Sequence, residues 1–182
     1  MIDFNHTLTL KQQKFINAQP IFFVATSPKD GRINISPKGM TDTFAIINEA
    51  CVAYLDFVGS GNETAAHILN DGRMTIMMNS FTRVANIMRL YGKGRFAIKG
   101  SDEFNAHIQR FPEMTGVRQI IFLDIESIQD SCGYGVPVME LTHERDTLSK
   151  WSANKSEEVV EYYKRQNNVT SIDGLPTGVL GD

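Results

Sequence analysis

Residues 51–64 read CVAYLDFVGSGNET. The first seven are mostly apolar, which is typical of a β-strand, and a helix-like run begins at Ala65. The glycine turn at residues 59–64 joins the two. Backbone N–H groups at a helix start have no partner inside the helix, and the dipole adds about half a positive charge, so the turn suits a phosphate. Ser60 and Glu63 also have capping-box spacing, and taken alone that is the simpler interpretation.

Length and composition predict one folded domain over residues 1–182, with an N-terminal helix and a C-terminal segment that is part helix and part tail. Apolar residues make up 42% of the chain and charged residues 21%, as in globular proteins. The formal net charge is only −3 and the basic residues are scattered, which argues against a nucleic-acid partner. No secretory signal and no apolar run of roughly 20 residues is present. We therefore expect a cytoplasmic protein without a membrane partner.

Metal and nucleophile chemistry have little support in the sequence. The two cysteines, Cys51 and Cys132, form no C-x-x-C pair and lie at no metal-ligand spacing, so no metal site is expected. The four histidines are isolated, and no G-x-S-x-G motif occurs. Cys132 is the residue to watch for redox chemistry, although a buried structural thiol is the expected state. Catalytic residues therefore stay unassigned.

A β-hairpin is predicted before the glycine turn. Residues 21–27 are rich in aromatic and branched side chains, and a Pro-Lys-Asp-Gly sequence at 28–31 has the composition of a tight turn. Residues 32–36 form the returning strand. Strict alternation puts Ile33 and Ile35 on one face of it. The other face carries three polar side chains, those of Arg32, Asn34 and Ser36.

Strands dominate the rest of the chain. They are expected at residues 51–57, 74–79, 88–98 and 119–128, each bounded by glycine or polar turns. Helices are expected at residues 9–18, 62–70 and 101–111, and for about three turns after a capping box formed by Asn154 and Glu157. Consecutive strands without long helices between them favour an antiparallel sheet or barrel.

Residues 92–97 match the dinucleotide fingerprint G-x-G-x-x-A, but their setting rejects it. That fingerprint lies between a strand and a helix, whereas here the apolar alternation continues through both glycines. Gly92 and Gly94 are therefore interpreted as a bulge or bend in a strand.

Basic residues beside the polar strand face extend the possible anion site. Arg32 lies on that face, Lys38 follows it, and Arg89 lies on a later strand. Arginine is a forked, permanently charged donor and lysine a mobile point charge, and both suit phosphate. Each alone is typical of a solvated surface charge. Their combination with the polar residues of the turn favours phosphate binding.

Together these pieces resemble one known family, the pyridoxamine 5′-phosphate oxidase-like, FMN-binding split-barrel proteins. The resemblance spans nearly the whole chain and depends on the combination, not on a single motif. The matching segments are residues 22–26 with 32–39, 54–56 with 59–64, 73–78, 88–92, and the glycine-rich strings 131–137 and 171–178.

The resemblance implies a mainly β fold with flanking helices, namely a six-stranded antiparallel split β-barrel. It also implies a homodimer that binds FMN in a cleft between the subunits. The residues implied at the 5′-phosphate or in its turn are Arg32, Lys38, Ser60, Asn62 and Thr64. Those implied near the ribityl chain or the ring edge are Asn34, Ser36 and Asp56. Phe81 and Arg89 are expected to approach the flavin from the partner subunit.

The sequence also departs from the true oxidases. Residues 61–64 contain no basic side chain where the oxidases have a basic pair, and residues 171–178 replace their arginine-containing tail. The substrate therefore does not carry over, and the resemblance implies an FMN-dependent oxidoreductase that acts on an unidentified small molecule. In such a protein the cofactor supplies the redox chemistry and the protein orients it. The alternative is a non-catalytic module on the same barrel that binds or senses flavin or haem.

Overall fold

One curled antiparallel sheet of seven strands forms the body of the computed structural model, which describes residues 6–181. The strands are β1 Ile21–Thr26, β2 Asn34–Gly39, β3 Phe44–Asn48, β4 Cys51–Phe57, β5 Arg73–Asn79, β6 Ile87–Ile98 and β7 Val117–Ser131. Their order across the sheet is β2-β1-β5-β6-β7-β4-β3. The expected split-barrel fold class is confirmed, with one strand more than the six expected. The additional strand, β3, is short and pairs only with β4 at the sheet edge.

The core lies on both faces of β7, a strand in the interior of the sheet. Successive side chains of a strand point to opposite faces, so Ile121 and Leu123 join one buried cluster while Ile120 and Phe122 join the other. All four side chains are completely buried. Burial of this apolar surface on both sides of the sheet is the main stabilising contribution here.

The long strand β6 bends at its first glycine. Its register against β7 shifts between Tyr91 and Gly92. A β-carbon at Gly92 would lie 1.9 Å from the backbone oxygen of Asp124, so this close approach requires glycine. The prediction of a bulge at Gly92 is confirmed, and the dinucleotide fingerprint is excluded because the segment is a strand interior.

Five α-helices flank the sheet within residues 6–181, namely α1 Leu10–Asn17, α2 Glu63–Asn70, α3 Asp102–His107, α4 Thr147–Ala153 and α5 Glu157–Asn167. The first helix begins with a capping box. The Gln12 N–H donates to Thr9 Oγ1 at 3.3 Å, and the Thr9 N–H donates to Gln12 Oε1 at 3.0 Å. The helix predicted at residues 101–111 is shorter and ends in a 3₁₀ turn at Ile108–Arg110. None of the described helices is long and apolar enough to cross a membrane.

The capping box predicted at Asn154 is wrong. α5 begins after Ser156, whose hydroxyl accepts a hydrogen bond from the Val159 N–H at 3.4 Å. Asn154 instead follows the last residue of α4. That helix was not predicted because its seven residues carry no sustained apolar periodicity.

The predicted two-faced character of the returning hairpin strand is confirmed. Ile33 and Ile35 are 71% and 66% exposed, whereas Asn34 and Ser36 are partly buried. β2 continues through Pro37 beyond its predicted end. It can do so because it is an edge strand, where proline does not interrupt an inner hydrogen-bond ladder.

Candidate functional site

A cleft of about 960 Å³ lies between β2, the end of β4, the turn at residues 59–64 and a coil segment. Eight of the ten site residues expected from the sequence line it, namely Asn34, Ser36, Lys38, Asp56, Ser60, Asn62, Thr64 and Phe81. The cleft thus unites the polar face of the hairpin with the glycine turn, although the two are separated along the chain by β3 and β4.

A buried carboxylate, Asp56, organises the floor of the cleft. Its side chain is 3% exposed and accepts hydrogen bonds from Arg118 Nε at 2.7 Å, Gln119 Nε2 at 2.7 Å and Lys38 Nζ at 3.1 Å. Burial alone would raise the pKa of Asp56, but the charges of Arg118 and Lys38 and the hydrogen bonds from Arg118 and Gln119 outweigh it. The pKa is lowered to about 2, so Asp56 is ionised at neutral pH.

The floor, defined as Lys38, Asp56, Asn62, Arg118 and Gln119, carries one positive charge in excess. Its two cations face a single carboxylate. Arg118 is almost completely buried and also donates from Nη1 to the Gly61 oxygen at 2.8 Å, which links the charge cluster to the glycine turn. An anion that enters the cleft therefore meets a net positive floor.

An uncommitted hydrogen-bond donor lies beside these charges. Asn62 is 2% exposed, and its Oδ1 accepts from Gln119 Nε2 at 2.8 Å, but within residues 6–181 its Nδ2 has no partner. Asn62 is also the residue before α2, yet its side chain does not cap that helix. A buried donor without a partner is costly, so a ligand with an acceptor in this part of the cleft would be stabilised.

The capping box predicted from Ser60 and Glu63 is wrong. α2 begins at Glu63 itself, so Ser60 lies too far before the helix to cap it, and no side chain caps the helix start. The Glu63 carboxylate instead accepts the N–H of Ile172 at 3.0 and 3.2 Å. The local spacing gave a wrong prediction here because the hydrogen-bond partner of Glu63 is 109 residues further along the chain.

The polar face of β2 is tied to the start of α2. Ser36 Oγ donates to Asn34 Oδ1 at 3.1 Å, and Asn34 Nδ2 donates to Thr26 Oγ1 at 3.2 Å and to Thr64 Oγ1 at 3.4 Å. The Thr26 hydroxyl also contacts His67 Nδ1 at 3.0 Å on the buried side of α2. This network fixes the distance between the hairpin and the helix that border the cleft.

The opposite side of the cleft, called here the outer wall, is the coil and helix start at residues 139–148. The Met139 N–H donates to the Phe81 oxygen at 3.0 Å. Glu144 accepts from the Thr41 N–H at 3.2 Å and from the Thr41 hydroxyl at 2.5 Å. Met139 and Leu141 are about 60% exposed, so this wall presents apolar surface to solvent.

The other two of the ten expected residues, Arg32 and Arg89, lie elsewhere in the described structure. Arg32 forms an ion pair with Asp173, and Arg89 Nη1 donates to Ser131 Oγ at 3.0 Å, and neither arginine lines the cleft. Cys132 is exposed, so the expectation of a buried thiol is wrong.

Sequence reasoning missed Arg118 and Gln119. They stand at the start of β7, directly before four buried apolar residues, and the predicted strand began one position too late to include Arg118. A polar pair opening an apolar strand was the available signal. Its meaning depended on the pairing of β7 with β4, which places Gln119 opposite Asp56.

Comparison with known proteins gives a consistent result. A family model described as pyridoxamine 5′-phosphate oxidase matches residues 8–132. A protein of Aspergillus flavus described as "Pyridoxamine 5′-phosphate oxidase family protein ustO" is 37% identical over 177 residues, covering 87% of this chain and 70% of that protein. Two crystal structures of HupZ from Group A Streptococcus share the fold. The first has a TM-score of 0.53 at 20% identity and covers 66% of this chain and 91% of HupZ. The second, of a histidine-to-alanine variant, has a TM-score of 0.54 at 19% identity and covers 68% of this chain and 98% of the variant.

Proposed function

The chain belongs to the pyridoxamine 5′-phosphate oxidase family, and on that premise we propose that its cleft binds FMN and that the protein is a flavin-dependent oxidoreductase acting on a small molecule. The observation that carries the proposal is the floor. A net positive charge, a buried amide donor without a partner and an uncapped helix start meet at one end of the cleft. This combination is suited to a phosphate group.

The phosphate end of FMN would be held by groups of three kinds. Lys38 and Arg118 supply charge, Asn62 Nδ2 supplies a donor, and the first backbone N–H groups of α2 add the positive end of the helix dipole. The hydroxyls of Ser60 and Thr64 line the same end. Arg118 thus stands beside a turn that contains no basic residue of its own.

The remainder of the cleft also fits an FMN molecule. Asn34 and Ser36 offer donors and acceptors for ribityl hydroxyls, while Phe81, Met139 and Leu141 offer apolar surface for a flat ring. A volume of about 960 Å³ lies within the usual range for small-molecule sites. When bound, the flavin ring would accept and donate the hydride or electrons. The residues of this chain would bind the cofactor, orient it and limit access of water to it.

A homodimer is part of the proposal. Met139 and Leu141, on the outer wall, and the nearby Val138 are 60 to 65% exposed, and Ile33 and Ile35 are exposed on the edge strand β2. Apolar surface of this kind commonly becomes buried in an interface. A second copy of the chain would cover it and complete the ring end of the cleft. In that arrangement Arg89 would approach the cofactor bound by the other subunit, whereas Phe81, which lines the cleft of its own chain, would contact the ring there.

The decisive experiment is to identify the cofactor and measure its affinity. Purified protein should show a flavin absorption spectrum and release a compound with the mass of FMN on denaturation. The flavin-free protein should bind FMN more tightly than riboflavin, which lacks the phosphate. A colourless protein with no affinity for added FMN would contradict the proposal. FMN that binds but is not turned over by any of a panel of reductants and acceptors would favour the non-catalytic alternative.

A substitution at Thr64 tests the phosphate end. Thr64→Val preserves side-chain shape and removes the hydroxyl, and one hydrogen bond to a charged group contributes about 1.5 to 3 kcal/mol. FMN affinity should fall by at least about tenfold, while riboflavin affinity should change little. Fluorescence titration of both ligands measures the difference. Equal losses for both ligands would mean that Thr64 supports the structure, through its bond with Asn34, rather than the phosphate.

A further inference from the structure

We propose that residues 168–177, called here the C-terminal clamp, act as a positioning device for the phosphate end of the cleft. The inference rests on the proposed function and adds a role for a segment to which neither the sequence nor the family comparison assigns one. The clamp contacts the glycine turn, the first residue of α2 and the β1–β2 hairpin. It thereby joins the separate pieces of chain from which the phosphate end is built.

The first contact is made by a completely buried asparagine. Asn168 Nδ2 donates to the Gly59 oxygen, at the start of the glycine turn, at 2.7 Å. The backbone oxygen of Asn168 in turn accepts from Thr177 Oγ1 at 2.6 Å, and the Thr177 N–H donates to the Val169 oxygen at 3.1 Å. The two ends of the clamp are therefore bonded to each other, and Asn168 bonds one of them to the turn.

The second contact holds the carboxylate of Glu63. This residue occupies the first turn of α2 and lines the cleft, so its charge would repel an incoming phosphate more strongly if the side chain were free to turn toward it. The Ile172 N–H holds both carboxylate oxygens, at 3.0 and 3.2 Å. The clamp thereby fixes a negative charge that would otherwise compete with the ligand.

The third contact fixes the hairpin. Asp173 accepts the Arg32 N–H at 2.8 Å and forms an ion pair with the Arg32 guanidinium. Gly31 makes room for it, because a β-carbon there would lie only 2.7 Å from Asp173 Oδ2. Ser171 braces the loop, since its Oγ accepts from the N–H groups of Asp173 and Leu175 at 3.3 and 3.0 Å. Arg32 is thus an anchor of the hairpin rather than a phosphate ligand.

These contacts predict an effect that is specific to the phosphate. The clamp touches the turn, Glu63 and the loop of the hairpin, and none of its residues lines the cleft. Its loss should therefore misplace the phosphate donors while leaving the ring end intact. A segment that acts only on overall stability would weaken the binding of all flavins to the same extent.

The test uses full-length Asp173→Ala and Asn168→Ala variants. FMN affinity should fall about tenfold in each, as expected when one phosphate donor is misplaced and its charge-assisted hydrogen bond to the ligand is lost, while riboflavin affinity changes less than about twofold. Amide hydrogen exchange at residues 59–66 should accelerate in the ligand-free variants, with β6 unchanged. Asp173 lies in a turn, so the Asp173→Ala variant keeps the test valid if Asn168→Ala, which changes a buried residue, fails to fold. Glu157→Ala is the matched control, because it removes a 3.5 Å ion pair between the C-terminal region and Lys99 without touching the turn.

The outcomes separate the two proposals. If the wild-type protein binds FMN and Asp173→Ala binds both ligands as the wild type does, or loses both equally, the clamp proposal is overturned and the proposed function stands. If the wild-type protein binds no FMN, both are overturned. A selective loss of FMN affinity in Asp173→Ala, absent from Glu157→Ala, supports the clamp.

Discussion

The two sides of the cleft differ in how they are held. On the floor, Asp56 accepts hydrogen bonds from three side chains and is 3% exposed, and Arg118 is buried beside it. Within residues 6–181 the outer wall is attached to the rest of the protein at two points, Met139 to Phe81 and Glu144 to Thr41, and much of its surface is open to solvent. A buried cluster with several mutual hydrogen bonds keeps its geometry without a ligand, whereas an exposed coil with few bonds opens at little cost.

This difference suggests separate roles for the floor and the outer wall of the cleft. A preorganised floor is suited to a cofactor that is always recognised in the same way, because no reorganisation accompanies its binding. An adaptable outer wall is suited to the partner that changes, whether a substrate or a second copy of the chain. Substitutions on the floor should therefore cost stability and cofactor affinity together, whereas loss of the outer-wall anchor Glu144 should cost little of either.

The largest effect is expected from Arg118→Ala. Removing the arginine leaves Asp56 buried with only Lys38 as a charged partner, and breaking a buried ion pair from one side costs about 3 to 5 kcal/mol. Urea unfolding should show a loss of this size, together with loss of FMN binding. Arg73→Ala is the matched control, since its ion pair with Asp71 is exposed and should contribute at most about 1 kcal/mol. Similar losses of unfolding free energy in both variants would show that the buried ion pair of the floor contributes no more to stability than an exposed one.

A smaller effect is expected from acid. Folding lowers the pKa of Asp56 from its ordinary value of 3.8 to about 2, so the folded state favours the ionised form. The resulting stabilisation is fully present above the ordinary pKa and is lost as the pH falls from about 4 to 2. It amounts to about 2 kcal/mol. Urea unfolding at pH 6, 4 and 3 should show about half of this loss in the wild type by pH 3. Asp56→Asn should be less stable at pH 6 but should lack this share of the pH dependence, and an unchanged slope would contradict the assignment.

The regular part of the fold was predictable because its signals are local. Apolar runs bounded by glycine and polar residues located β1, β4, β5, β6 and β7 to within a few residues. Alternation correctly separated the two faces of the hairpin strand. The glycines of β6 were correctly interpreted because only a bent strand keeps apolar alternation across them.

The site was less predictable because its bonds connect distant parts of the chain. Asp56 and Arg118 are 62 positions apart, and Arg32 and Asp173 are 141 apart. Glu63 matched a local capping pattern, yet a backbone N–H from the C-terminal clamp was the better-placed donor. Residue types were enough to mark the hairpin face and the turn as polar. Which charges bind each other depended on the strand order of the sheet.

The smallest effect is expected from Glu144→Ala in the outer wall. The variant loses both bonds to Thr41, but the groups are exposed and solvent replaces the bonds, so the free energy of unfolding should change by less than about 0.5 kcal/mol. Limited proteolysis within residues 139–148 should become faster because an anchor of the coil is gone. FMN affinity should stay within about twofold of the wild type. Glu140→Ala, in the same coil but without a described side-chain hydrogen bond, is the control and should leave the proteolysis rate unchanged. A collapse of FMN affinity in Glu144→Ala would mean that the outer wall binds the cofactor as firmly as the floor does, and the proposed division of the cleft would be wrong.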